Sequence, residues 1–257
     1  MYENVYVDIA EGIGMIQINR EQVRNALDTL TLKEIENALE ELEANQEVGV
    51  IAITGQGEKI FASGADIKQL RERKMLEALL PGIQSTYKKI ENCTKATIAV
   101  INGFALGGGF ELALSCDIRI AADHAKVGLP ELNLGIIPGA GGTQRLSRIV
   151  GKGRALDMIL TGKVLDGKEA ERVGIVSKAV PYQALWSAVK ETAGQIMLKG
   201  PVAVRLAKMV INRGYDTDID TALMLEKLAQ TVAFGTEDKN EGTQAFLDKR
   251  KTKFSNK

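Results

Sequence analysis

Apolar residues follow two rhythms along this chain. Residues 4–10 and 13–19 alternate or run apolar on either side of Glu11-Gly12, which predicts a β-hairpin. Thr31 to Asn45 carries apolar residues at 32, 35, 38, 39 and 42, one face of an amphipathic helix. Thr31 stands three positions before Glu34, the spacing of a capping box. Val48 to Thr54 is a short apolar run closed by Gly55-Gln56-Gly57, and predicts a buried strand. Thr97 to Ile101 and Ile118 to Ala121 predict two more strands. Residues 66–92 read as helical and charged, with a break near Pro81-Gly82. Phe110 to Ser115 reads as a buried helix, and Gly142 to Val150 and Lys152 to Thr161 as two further helices.

The texture changes after about residue 180. Residues 183–199, 202–213, 218–234 and 237–250 are all helix-like, with no convincing strand between them. The pattern predicts an α/β core over residues 1–195 and a helical C-terminal region over residues 196–257. No linker rich in Pro, Gly or Ser marks that boundary. A strand-then-helix rhythm recurs around residues 50, 100 and 120–145, which hints at a superhelical stack.

Composition narrows the function classes. Hydrophobic residues make up 45% of the 257 positions, enough for a sizeable core. The 33 basic and 33 acidic residues cancel, so no global charge draws in nucleic acid or an anionic membrane. Cys93 and Cys116 are too few for a disulfide scaffold and lack metal-ligand spacing; inert thiols in a reducing compartment are expected. The sole histidine, His124, sits in a turn-like stretch and reads as a surface residue, while Trp186 reads as packing on a helix. No basic residue precedes Arg20 and no apolar signal core is visible, which predicts a cytoplasmic protein. Residues 96–116 are almost wholly apolar, yet they hold Asn102, Glu111 and four glycines. A glycine triplet costs about 1 kcal/mol per residue inside a helix, so a strand, a turn and a buried helix fit better than a membrane span.

Three small-residue segments and two acids could carry chemistry. Gly107-Gly108-Gly109 stands between a predicted strand and a predicted helix. Free N–H groups at a helix start favour a negative oxygen there, and close helix–strand packing is the competing explanation. Gly139-Ala140-Gly141-Gly142 also precedes a helix, but Gln144 stands where a dinucleotide fingerprint needs glycine; a tight helix N-terminus explains it as well. Ala62-Ser63-Gly64-Ala65-Asp66 offers an N-cap at Asp66 or a second backbone donor at Ala65. Glu111 and Glu131 lie twenty positions apart, one after the glycine triplet and one after Pro130. Singly, each is explained by a helix dipole or a solvated turn; beside the glycine run, the two together suggest paired acids.

These segments resemble the crotonase (enoyl-CoA hydratase/isomerase) superfamily. The resemblance is carried by Ile101-Asn102-Gly103-Phe104-Ala105-Leu106-Gly107-Gly108-Gly109-Phe110-Glu111-Leu112 with Cys116-Asp117, and by Pro130-Glu131 followed by Gly135 to Leu146. Phe61 to Lys68 resembles the CoA-binding stretch of that family, and Asn19-Arg20 with Asn25-Ala26-Leu27 its N-terminal segment. Thr161-Gly162, Ala170 to Val176 and Phe246 to Phe254 extend the match along the chain. Glu21 and Ala96 stand where the family commonly has proline.

The resemblance implies a spiral of strand–strand–helix turns capped by a helical trimerisation region, assembled as trimers or dimers of trimers. It implies Ala65 and Gly108 as oxyanion-hole donors, and Glu111 and Glu131 as the catalytic acids. It places Arg24, Ala62, Ser63, Gly64, Asp66, Ile67 and Lys68 at the substrate and its CoA. The implied reaction is reversible hydration of a trans-2-enoyl-CoA to a 3-hydroxyacyl-CoA, in fatty-acid β-oxidation or related acyl-CoA metabolism. No metal or redox cofactor is expected, since coenzyme A arrives on the substrate. Enoyl-CoA isomerisation, or hydration of a branched or aromatic acyl group, is the alternative on the same fold. RNA binding, known for some relatives with a basic helix, would here rest on Lys88, Lys89 and Lys95 with Glu91 among them. Neither a nucleic-acid nor a membrane partner is expected.

Overall fold

The computed structural model describes residues 2–80 and 82–257, without the Lys68 side chain. Ten strands run β1 (Val5–Ala10), β2 (Ile13–Ile18), β3 (Val50–Gly55), β4 (Ile60–Ala62), β5 (Ala96–Ile101), β6 (Phe104–Leu106), β7 (Ile118–Ala122), β8 (Lys126–Gly128), β9 (Leu165–Asp166) and β10 (Lys178–Val180). The helices are α1 (Thr29–Ala44), α2 (Ile67–Glu72), α3 (Ile83–Asn92), α4 (Gly108–Ser115), α5 (Gly142–Val150), α6 (Lys152–Thr161), α7 (Gly167–Arg172), α8 (Leu185–Met197), α9 (Pro201–Gly214), α10 (Ile219–Phe234) and α11 (Glu237–Leu247).

The predicted hairpin is β1–β2, turned by Glu11 and Gly12, both at positive φ. It begins a six-stranded sheet in the order β1-β2-β3-β5-β7-β10, parallel from β2 onward. Every residue of β3 and β5 is buried, because α1 packs against β2 and β3 while α8 packs against β3, β5 and β7. A strand covered on both faces reads as an apolar run rather than an alternation. That is why Val48 to Thr54 and Thr97 to Ile101 stood out. Ile16, Ile51, Ile53 and Ile98 have no exposed surface, and each such side chain stabilises the fold by roughly 1.5–3 kcal/mol.

The second sheet, β4-β6-β8-β9, escaped the sequence pattern. Its members are two or three residues long, too short to show a period. Their placement makes the spiral. β3, β5 and β7 lie side by side in the first sheet, and the strand that follows each of them, β4, β6 and β8, lies side by side in the second. One turn of the spiral is thus strand, strand, helix, and the fold is the α/β spiral that the resemblance implied. The C-terminal ends of β4, β6 and β8 come together at one edge, where the segments Ser63–Asp66, Gly107–Glu111 and Pro130–Glu131 emerge.

Some local expectations are corrected. Helix α1 starts at Thr29, capped by Asp28, whose Oδ1 accepts from the Thr31 N–H at 2.8 Å. Glu34 therefore does not complete a capping box with Thr31; its carboxylate accepts from the N–H groups of Glu3 and Asn4, both at 2.7 Å, and ties the N-terminus to α1. Trp186 lies on the exposed side of α8. Gly82 precedes α3, and Pro81 lies outside the described residues. The four C-terminal helices are present close to their predicted bounds, with α9 and α10 packed on one another. Lys208 of α9 pairs with Asp117 at 2.7 Å and donates to the Lys95 carbonyl at 3.0 Å, which ties these helices to the spiral.

Candidate active site

Each site segment follows a strand of the second sheet. After β4, the chain turns through Gly64 at φ +95, a left-handed conformation that favours glycine. The loop before α1 lashes this turn down: Leu27 donates to the Gly64 carbonyl at 2.9 Å and Ser63 donates to the Arg24 carbonyl at 3.2 Å. After β6, Gly107 at φ +53 leads into α4. The two turns touch. A Cβ on Gly108 would sit 3.3 Å from the Ala65 nitrogen, and one on Gly64 would sit 2.9 Å from the Gly108 nitrogen. Among the described residues, neither the Ala65 N–H nor the Gly108 N–H has a hydrogen-bond acceptor. Two unpaired donors side by side, one at a helix start, suit an oxygen that carries negative charge.

Helix α4 is set deep in the core. A Cβ on Gly109 would overlap the Ala62 carbonyl, so glycine is what allows α4 to approach β4. Buried Tyr87 on α3 donates its hydroxyl to the Gly108 carbonyl and steadies the first turn. Burial pushes the Tyr87 phenol well above its ordinary value, with the Glu111 charge adding to it, so it remains a donor.

Glu111, on the first turns of α4, is only 3% exposed. Its Oε1 accepts from the Ala140 N–H at 2.8 Å and the Gly142 N–H at 2.7 Å. The second glycine run therefore holds the protein's own Glu111 carboxyl. A Cβ on Gly142 would lie 2.9 Å from that oxygen, which requires glycine there. Burial raises the Glu111 pKa; the two backbone donors, then Arg145, pull it partly back.

Glu131 follows β8, in a short helical turn spanning Glu131–Leu134 that the left-handed Gly135 ends. Its carboxyl lies over Gly107, whose Cβ, if present, would be 3.2 Å from Oε1. Both carboxyl oxygens are buried and have no hydrogen-bond partner among the described residues. Burial pushes this carboxyl up to about 7, against a lowering by its own backbone N–H, with the nearby Glu111 charge adding a further push. The two acids, far apart in the pattern of the chain, thus share one buried site but in unlike settings.

The other predicted contact residues lie before α1 and from the end of β4 into α2. Arg24, Ser63 and Ile67 are exposed, and Arg24 is held at φ +59. Ala62 and Gly64 are buried and offer only backbone. Asp66 Oδ1 accepts from the Gln69 N–H at 3.2 Å, as an N-cap of α2 would. The Lys68 side chain lies outside the described atoms. A cleft of about 840 Å³ opens beside them, lined in part by Leu27, Ala65, Asp66, Leu70, Leu80 and Ile83. It meets the donor pair through Ala65 and Ile83, whose Cδ1 would lie 3.1 Å from a Cβ on Gly108. The sequence reading missed the roles of Tyr87, Ala140, Gly142 and Arg145; only the second glycine run signalled them.

The remaining candidates lie elsewhere. Cys93 and Cys116 are buried free thiols, pushed by burial up to about 11 and about 12. His124 is exposed, its Nε2 3.2 Å from the Glu58 carbonyl. Lys88 pairs with Glu91, Lys89 with Glu36 and Glu40, and Lys95 with backbone carbonyls of Leu42 and Asn45. No helix among the described residues is long and apolar enough to cross a membrane.

Known proteins match this arrangement over its whole length. The crotonyl-CoA hydratase of Syntrophomonas wolfei is 45% identical over 258 residues, covering 100% of this chain and 99% of its own. The short-chain-enoyl-CoA hydratase of Clostridium acetobutylicum is 45% identical over 250 residues, 96% of each chain. The crystal structure of an enoyl-CoA hydratase from Bacillus anthracis superposes with a TM-score of 0.94 at 41% identity, over 99% of this chain and 100% of that one. The family model described as enoyl-CoA hydratase/isomerase matches residues 8–257, and the chain belongs to that family.

Proposed function

We propose that this protein adds water reversibly across the 2,3 double bond of a trans-2-enoyl-CoA, giving a 3-hydroxyacyl-CoA. The observation that carries the reading is the pair of unlike carboxyls in one buried site. Glu111 receives two N–H donors from another loop that favour its charged form, while Glu131 receives none from any other described residue and holds a proton to about pH 7. Hydration needs this division. Water must give up a proton as its oxygen bonds Cβ, and Cα must gain one. In our reading Glu111, as carboxylate, takes the proton of the water, and Glu131 delivers its own to Cα. A proton then passes from Glu111 back to Glu131, directly or through solvent, so the pair ends as it began. Close carboxyls that cannot both ionise cheaply titrate as a unit, which suits such an exchange.

The N–H groups of Ala65 and Gly108 are the donors we assign to the thioester oxygen, which gains enolate charge as Cβ is attacked. Loss of one donor of this kind costs about 2.7–4 kcal/mol in known enzymes. Arg24, Ser63, Asp66, Ile67 and Lys68, with the backbone of Ala62 and Gly64, are assigned to the CoA-bearing mouth. Short acyl chains are the favoured substrates, as the names of the relatives suggest. No cofactor enters beyond the coenzyme A on the substrate. We place the activity in cytoplasmic acyl-CoA and fatty-acid metabolism. We also assign residues 196–257 to self-association as a trimer or dimer of trimers, on the strength of the apolar residues that α9, α10 and α11 expose.

The test is direct. Adding the folded protein to crotonyl-CoA should lower the absorbance of the conjugated thioester to an equilibrium plateau, and Glu111→Gln and Glu131→Gln should each slow that loss by at least about 100-fold. An unchanged absorbance with crotonyl-CoA and with longer enoyl-CoA substrates would defeat the proposal.

A further inference from the structure

The cradle around Glu111 is itself held in place. Ala140 donates its N–H to Glu111, and the carbonyl of the same residue accepts from Arg145 Nη1 at 2.8 Å. The same guanidinium reaches across to α3, where Nε lies 3.3 Å from Glu91 Oε1 and Nη2 3.3 Å from Glu91 Oε2. The Arg145 side chain is only 14% exposed. Between its two ends lies Gly141, at φ +102, where a Cβ would overlap Nη1. Glu91 is anchored in turn. Lys88 pairs with it at 2.7 Å, and Asn212 of α9 donates to its backbone carbonyl at 3.2 Å. Burial alone would raise the Glu91 carboxyl, but the bonds from Arg145 and Lys88 outweigh it and hold it below its ordinary value.

We propose that Arg145 is a positioning residue for Glu111: its guanidinium clamps the Ala140 carbonyl to Glu91 and so holds the 140–142 loop where both N–H groups meet the carboxylate. The proposal rests on the reading of Glu111 as the catalytic carboxylate. The planar fork matters. One guanidinium presents separate N–H donors to the carbonyl on one side and the carboxylate on the other, which the single ammonium of lysine cannot reproduce. A loop displaced by about 1 Å would move Glu111 away from its water, a fault that costs about 100-fold in turnover in enzymes.

The charge acts in the same sense as the geometry. The ionisable groups that face Glu111 are Arg145 from α5, Tyr87 from α3 and Glu131 from the turn after β8. Burial keeps Tyr87 in its neutral form, and Glu131 opposes a second negative charge. Arg145 is the cation in this set. Its removal should raise the Glu111 pKa, so that the carboxylate form is reached only at higher pH.

The experiment measures crotonyl-CoA hydration against pH for Arg145→Gln, Arg145→Lys and Glu111→Gln. In Arg145→Gln, kcat should fall about 10- to 100-fold with KM changing less than about threefold, and the acidic limb of the profile should move to higher pH. In Arg145→Lys the charge remains and the fork is lost, so the limb should stay in place while kcat falls about tenfold. Wild-type kcat in Arg145→Gln overturns the proposal. So does a loss that falls on KM, or one that leaves the acidic limb of Arg145→Gln unmoved, since both are what mere loosening of the fold would produce. Should Arg145→Gln fail to fold, Arg145→Lys decides, and wild-type kcat there overturns it. Undiminished turnover in Glu111→Gln would instead sink the reading of the site, whatever the Arg145 variants do.

Discussion

A buried carboxyl with no donor from another residue to stabilise its charge keeps its proton, and Glu131 does so to about pH 7. Hydration at substrate well below KM should therefore fall as pH rises through this value, and a pH–rate profile should lose that basic limb in Glu131→Gln. The same shift acts on stability. Glu131 titrates near its ordinary 4.5 in the unfolded chain and at about 7 in the folded one. Between these values the folded state binds the proton more tightly, so stability from this group is complete below about pH 4.5 and declines as pH rises through about 7. Glu131→Gln should thus make the protein more stable at pH 8 by about 1–3 kcal/mol, and the gain should fade towards pH 4.5. Chemical denaturation at the two pH values measures it; a variant less stable than wild type at pH 8 contradicts the assigned environment. The candidacy of both acids was legible in the letters. Their unlike settings were not, because these depend on whether distant backbone N–H groups reach one carboxyl and not the other.

Among the elements, α4 makes the most exacting demands. Its first turn is built against β4 with Gly109 on the Ala62 carbonyl, and Tyr87 pins it from α3. Gly109→Ala should lower stability by about 3–5 kcal/mol or prevent folding, since a backbone carbonyl cannot swing aside as a side chain does. Tyr87→Phe removes a single donated hydrogen bond and should cost only about 1 kcal/mol, read from the shift in melting temperature. The long elements announced themselves through periodicity, as α1 and the buried β3 and β5 did. The strands β4, β6 and β8 did not, because three residues show no period and earn their pairing only when the preceding long strands align. The cap of α1 was misread for a related reason. Asp28 and Thr31 both suit an N-cap, and Glu34 was drawn off by the N-terminal N–H groups of Glu3 and Asn4, which lie far away in sequence.

At the scale of the whole molecule, the C-terminal helices leave much apolar surface uncovered. Ile219, Leu223, Met224, Leu228 and Val232 of α10 are all more than half exposed, as are Phe246 and Leu247 after it, and clustered exposed apolar side chains mark interaction surfaces. Sedimentation velocity should show a trimer or a dimer of trimers, and Leu228→Glu should shift the distribution to smaller species. A monomeric wild type would remove the oligomerisation role assigned to residues 196–257. Lys208 and Asp117 join this region to the core, while Asn212 reaches the backbone of Glu91, so the helices stand behind the cradle of Glu111.

The sequence by itself determined the class of fold, the buried strands, the helical C-terminal third and the residues able to act as acids and backbone donors. Periodicity and residue chemistry are local, and they survive in the letters. Tertiary structure alone decided that β4, β6 and β8 lie side by side, and so brought Ala65, Gly108 and Glu131 to one edge with Glu111 behind them. It also decided that the second glycine run holds Glu111 rather than a ligand, and that Arg145 fastens that run to Glu91. Such facts concern distances between residues far apart along the chain, and pairing, burial and pKa follow from those distances rather than from any neighbourhood in sequence.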